Sequence, residues 1–139
     1  MSYEIPIERG KIREFARATQ SKSPDYQGIA PVIPATFLTT ARLVWEPRSE
    51  APIAKLGFDM RRILHGEEEY VFHGPPPRAG QTLTVETRLD GQWEKQGKRG
   101  GTMRFARIVN EYRDEAGALV AEQRSVVVET ARPPVEGRS

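Results

Sequence analysis

One stretch constrains this chain more than any other: IAPVIPATFLTTARLVW, residues 29–45. Pro34 suits the first turn of a helix, where its missing N–H has no partner in any case. Beyond it Phe37, Leu38, Ala41, Leu43, Val44 and Trp45 are apolar nearly all round. A helix apolar on most faces has to be buried. Residues 34–45 therefore read as a central helix, and the rest of the chain has to wrap it.

The flanking patterns supply the wrapping. Residues 3–7 alternate weakly, and Pro6 confines them to a sheet edge. Ile12, Phe15, Ala16 and Thr19 recur at helical spacing, which predicts an amphipathic helix over 9–20. The breaker cluster 21–24 ends it, and 46–52 is loop. After that the pattern is β: an extended run over 57–74, the turn PPPRAG, and a half-buried strand over 82–89. GKRGG (97–101) is a glycine-rich turn. Met103, Phe105 and Val109 alternate on the next strand, DEAG (114–117) makes a hairpin, and 119–130 is the last strand. The layout predicts one α+β domain over 1–132 with a disordered tail over 133–139. A buried helix followed by a long antiparallel meander gives a curved sheet wrapped around one apolar helix, the hot-dog arrangement.

Composition removes several function classes. The chain has no cysteine, which excludes disulfides and thiolate metal sites. No apolar run reaches the ~20 residues of a membrane helix, and the first fifteen residues carry no signal-peptide core, so a cytoplasmic location is expected. The net charge is +2, with arginines scattered rather than striped. That pattern speaks against nucleic acid, and it leaves single arginines free to meet a phosphate.

Both histidines lie in HGEEEYVFH, residues 65–73. On a regular strand His65, Glu67, Glu69, Val71 and His73 share one face. The histidines then stand roughly 26 Å apart at ~3.3 Å per residue. A metal ion needs its ligands at about 2 Å, so no shared metal site is expected. His65 precedes Gly66, where a missing side chain admits close backbone approach; His73 abuts a turn. No serine sits in a GxSxG setting, and KRGG lacks the spacing of a phosphate loop. The carboxylates show no diagnostic pairing.

Longer stretches resemble a known family. LHGEEEYVFHGPPPRAGQTLTVETRL (64–89), KIREFARAT (11–19) and APVIPATF (30–37) are similar, in that order, to the MaoC-like and FAS1-like dehydratase N-terminal group. Gln81 stands where the group carries an acid. The resemblance implies a hot-dog fold and (R)-specific hydration of enoyl thioesters or the reverse dehydration. The acyl group rides on coenzyme A or acyl carrier protein, without metal or redox cofactor. Such chemistry takes an acid and a base, and a backbone N–H at the start of the hot-dog helix to hold the enolate oxygen. Active members carry G-D-x-N-P-x-H after the first helix. Laid on that segment without a gap, Gln20 takes the glycine position, Ser21 the catalytic aspartate and Tyr26 the catalytic histidine.

The resemblance thus implies a subunit without its own acid–base pair, shaping the acyl channel for a catalytic MaoC-like partner in a dimer whose sheets join edge to edge. Tyr26, Pro34, Ala35, Thr36 and Phe37 are the expected channel residues; Arg78 and Arg99 are candidates for coenzyme phosphate. Two alternatives stay open. One is a self-sufficient homodimeric hydratase or thioesterase using His65 with Asp25, or a carboxylate such as Glu46 or Asp59. The other is a non-enzymatic acyl-thioester binding module.

Overall fold

The computed structural model describes residues 1–131; the expected tail over 133–139 lies outside them. Five strands, β1 Ser2–Pro6, β2 Ile63–Phe72, β3 Thr82–Gln96, β4 Thr102–Arg113 and β5 Leu119–Glu129, form one antiparallel sheet in the order β1-β3-β4-β5-β2. Pro6 lies on an edge strand, where a missing N–H is tolerated. The expected simple meander is corrected by this order. β2 pairs with β5 rather than with its sequence neighbour β3, so residues 73–81 carry the chain from one edge of the sheet to the far side. Sequence proximity cannot reveal that crossing.

The helix α1, Arg9–Ala18, buries Ile12 and Ala16. It ends in a Schellman arrangement: the Gln20 N–H donates to the Arg17 carbonyl and the Ser21 N–H to the Ala16 carbonyl. Gln20 therefore adopts φ 58°, a left-handed conformation usually taken by glycine. The resemblance had placed Gln20 where the family carries glycine, and this turn is the physical reason for that glycine.

The expected central helix over 34–45 is corrected in form and in burial. Residues 35–38 are turns, and a short π-helix follows, Ala41–Trp45. Phe37, Leu38 and Ala41 are fully enclosed. Leu43, Val44 and Trp45 are 64%, 54% and 38% exposed. The all-round apolar pattern therefore divides lengthwise: its first half enters the core and its second half faces out.

The concave face of the sheet carries two apolar clusters. One joins Ile5, Ile12, Phe37, Leu38, Leu83 and Val85 with Tyr112 and Ala121, beneath α1 and the 33–41 segment. The other joins Ala106, Ile108 and Val127 to Ile53, Leu56, Phe58 and Ile63. On β4 the inner residues are Ala106, Ile108, Asn110 and Tyr112. The expected alternation of Met103, Phe105 and Val109 marks the outer face instead, where Phe105 stacks on Trp93 at 5.3 Å. The aromatic residues there are covered by one another rather than by the core.

Candidate functional site

Two groups of polar side chains lie near the elements expected to carry function. The first is a straight row across the concave face. Thr87 opposes Asn110, Asn110 opposes Gln123, and Gln123 opposes Tyr70, on β3, β4, β5 and β2 in turn. Directly opposed residues share a face, so the four side chains run between the two apolar clusters.

Gln123, 1% exposed, is the hub of this row. Its Oε1 lies 2.6 Å from the Tyr112 hydroxyl and accepts from Asn110 Nδ2 at 3.3 Å. Its Nε2 donates to the Glu68 carboxylate. The Tyr70 hydroxyl also donates to Glu68, at 3.0 Å. The Tyr112 hydroxyl stands 3.2 Å from the Leu38 carbonyl, tying the sheet to the segment above it. Burial pushes the Tyr112 hydroxyl far above its ordinary pKa, and burial with the nearby Glu68 charge pushes Tyr70 up to about 12. Both stay protonated donors at neutral pH. At the β1 end of the row Tyr3 OH, Thr87 Oγ1 and Asn110 Oδ1 are buried without a hydrogen bond among the described residues. Glu46, half-buried just past the π-helix, has its carboxyl raised by desolvation, against the opposing pull of Arg42.

The second group lines a cavity of about 500 Å³ beside the end of α1. Arg13 and Arg17 contribute from the helix, and Ser21, Ser23, Tyr26 and Gln27 from the turn after it. Ser23 caps the short 3₁₀ turn Pro24–Tyr26 by accepting from the Asp25 N–H at 3.3 Å. The Ser23 hydroxyl lies 3.4 Å from the Asp25 carboxylate. Among the described residues no carboxylate and no imidazole lines this cavity. Its hydroxyls and guanidiniums can hold an anion, and none of them is a base at neutral pH.

The other expected residues are placed as follows. Pro34 and Phe37 are buried, and Phe37 meets the Phe15 ring edge-on at 5.5 Å; Ala35 and Thr36 are exposed. Arg78 donates to the Ala30 carbonyl at 3.0 Å and Val32 bridges to it, so it braces the loops. Arg99 sits at the tip of the β3–β4 hairpin, on the rim of a largely apolar groove with Lys98. His65 is exposed on β2, and no hydrogen bond among the described residues joins it to Asp25. Asp59 is held by Arg61 and Arg62 and caps the turn Met60–Arg62, which gives it a local structural task.

The expected sharing of one face by His65 and Glu67 is corrected. A bulge at Gly66 shifts the register, so His65 opposes Val127 while Glu67 opposes Val126, and the two side chains leave on opposite faces. A Cβ on Gly66 would come within 3.0 Å of the Val128 side chain, which explains a glycine at this crossing. His73 pairs with Glu122 at 2.7 Å. The transverse row itself was missed. Asn110 and Gln123 are polar residues among apolar strand neighbours, but their alignment depends on register, which no single strand displays.

Comparison with known proteins fixes the family. Residues 2–123 match the family described as FAS1-like, dehydratase domain region. A UPF0336 protein of Streptomyces coelicolor is 30% identical over 133 residues, covering 85% of this chain and 79% of that protein. A relative from Streptomyces avermitilis is 32% identical over 103 residues; the match covers 63% of this chain and 62% of that protein. Among solved structures, the HadBC (3R-hydroxyacyl-ACP dehydratase) complex of Mycobacterium tuberculosis superposes with a TM-score of 0.73 at 22% identity, over 92% of this chain and 94% of that one. The ChsH1–ChsH2 complex of the same organism superposes at 0.71 and 15% identity, over 98% and 85%. At these identities the structures speak for the fold alone. The five-stranded curved sheet around residues 33–41 is a hot-dog fold, and the chain belongs to the FAS1-like, MaoC-like dehydratase family.

Proposed function

We propose that this chain is a subunit of an (R)-specific enoyl-thioester hydratase or dehydratase that shapes the acyl channel while a MaoC-like partner supplies the aspartate and histidine. One observation carries the reading. The positions of the acid–base pair hold Ser21 and Tyr26, and among the described residues the cavity they line contains hydroxyls and guanidiniums but neither carboxylate nor imidazole. Without a group that can take the α-proton, the step has no base. The substrate is an acyl thioester on coenzyme A or a carrier protein, and the reaction needs no metal or redox cofactor. It would take place in the cytoplasm.

Further features support a partner. β2 ends the sheet, so the backbone groups on its outer side have no strand beside them among the described residues. Close by in the chain, Leu43, Val44, Trp45, Met60 and Leu64 expose large apolar side chains. A second hot-dog subunit pairing edge to edge would cover such a surface. The two similar solved structures are both complexes of two named components.

A self-sufficient enzyme is the second reading, favoured by Glu46, whose half-buried carboxyl is raised toward the range of a general acid. The two readings part on one experiment. Co-expression with a family member that keeps D-x-N-P-x-H should yield a co-purifying complex that hydrates crotonyl-CoA. Turnover by the chain alone, abolished by Glu46→Gln, would establish the second reading instead.

A further inference from the structure

Arg13 and Arg17 stand four residues apart on α1, which places their guanidiniums side by side. Like charges at this spacing oppose the helix unless something neutralises them. Elsewhere the chain does neutralise: Arg104 holds Glu129 at 2.8 Å, Arg124 meets Glu69 and Glu122, and on α1 itself Lys11 pairs with Glu14. Arg13 and Arg17 have no such partner among the described residues. Both face the 500 Å³ cavity beside the turn. Arg17 sits in the last turn of α1, where the carbonyl end of the helix favours a cation, but Arg13 gains nothing from that end.

The opposite wall adds neutral donors. Ser21 Oγ accepts from the Ser23 N–H at 3.4 Å, which leaves its own proton to give. The Tyr26 ring packs against the core, and its hydroxyl has no hydrogen-bond partner among the described residues. The Gln27 amide completes the wall. Asp25, the nearest carboxylate, turns to Ser23 and does not line the cavity. Among the described residues the lining therefore carries two positive charges, several O–H and N–H donors, and no negative charge.

We infer that this cavity binds a phosphoryl group, with Arg13 and Arg17 gripping its oxygens and the Ser21 and Tyr26 hydroxyls completing the shell. The volume is far larger than one phosphate, so the group can enter attached to a larger carrier. The inference stands on the cavity alone and does not depend on the role proposed above.

Calorimetric titration of the full chain at low salt, with adenosine 3′,5′-bisphosphate, 4′-phosphopantetheine and inorganic phosphate, tests it. Saturable binding is expected for at least one. Preference for the bisphosphate marks the nucleotide end of a coenzyme as the source, preference for phosphopantetheine marks a carrier's arm, and equal binding of inorganic phosphate marks a free anion. The double variant Arg13→Gln/Arg17→Gln keeps good helix formers on an exposed face and should weaken binding about tenfold or more. Ser21→Ala/Tyr26→Phe should weaken it roughly threefold. Arg48→Gln, an exposed arginine outside the cavity lining, should change nothing. Absence of saturable binding, indifference to the Arg13/Arg17 change, or loss on changing Arg48 would each overturn the inference.

Discussion

The transverse row under the π-helix and the turn after α1 both concentrate polar groups, yet they are built in opposite ways. Thr87, Asn110, Gln123 and Tyr70 come from four strands, and the hub Gln123 has both ends of its amide bound. The turn is local: its bonds run between residues two to seven apart, and among the described residues its arginines and Tyr26 hydroxyl are left over. A buried polar group without a partner is expensive, so a buried row is held in one arrangement. An open turn can change its side chains at little expense to folding. On the proposed reading the acid–base positions lie in the turn, where a chain can change them and keep the fold.

The largest predicted effect falls on the row. Gln123→Ala removes the bonds to Asn110, to Glu68 and to the Tyr112 hydroxyl at the centre of the core. Urea denaturation should show a loss of about 3 kcal/mol. A loss under roughly 1 kcal/mol would show that the row is not a structural brace.

Glu129, also buried, comes next. It accepts from Arg104 twice at 2.8 Å and from the Asp59 N–H at 2.6 Å, binding the 57–62 loop to the end of β5. The Arg104 hydrogen bonds hold its carboxyl below the ordinary glutamate range. A carboxyl depressed by folding stabilises the chain above its unfolded pKa, and that stability disappears as pH falls through the folded value. The chain should therefore lose stability as pH falls below about 4, the ordinary glutamate value. Glu129→Gln should be about 2 kcal/mol less stable at pH 7 and show a flatter acid limb.

In the turn the expected signs change. Gln20 holds a left-handed conformation, so Gln20→Gly should raise stability by about 1 kcal/mol, read from the denaturation midpoint. Ser21→Ala and Tyr26→Phe should each stay within about 0.5 kcal/mol of the parent chain. Destabilisation as large as at Gln123 would erase the contrast between the two regions.

Much of the fold was legible because its signals are local. The α1 period, Pro6 at an edge and the breaker cluster at 21–24 each act within a few residues. The 34–45 segment was legible as apolar, not as buried. A run of apolar residues looks the same whether or not the chain's own sheet covers it, and Leu43, Val44 and Trp45 are left exposed. The Gly66 bulge displaced His65 because period-two reasoning assumes an unbroken ladder. The row from Thr87 to Tyr70 depends on how four strands align, and the strand order with β2 beside β5 is set by packing rather than by sequence proximity. Ser21 and Tyr26 could be read from the resemblance, whereas Arg13 and Arg17 facing the same cavity required the fold.

The central claim is that this chain holds a hydratase fold without its own acid and base. Steady-state hydration of crotonyl-CoA by the purified chain alone tests it most directly. The account predicts a rate indistinguishable from the buffer at neutral pH, rising only when a family member with the aspartate and histidine intact is added. A saturable turnover by the chain alone, retained through further purification, would contradict it.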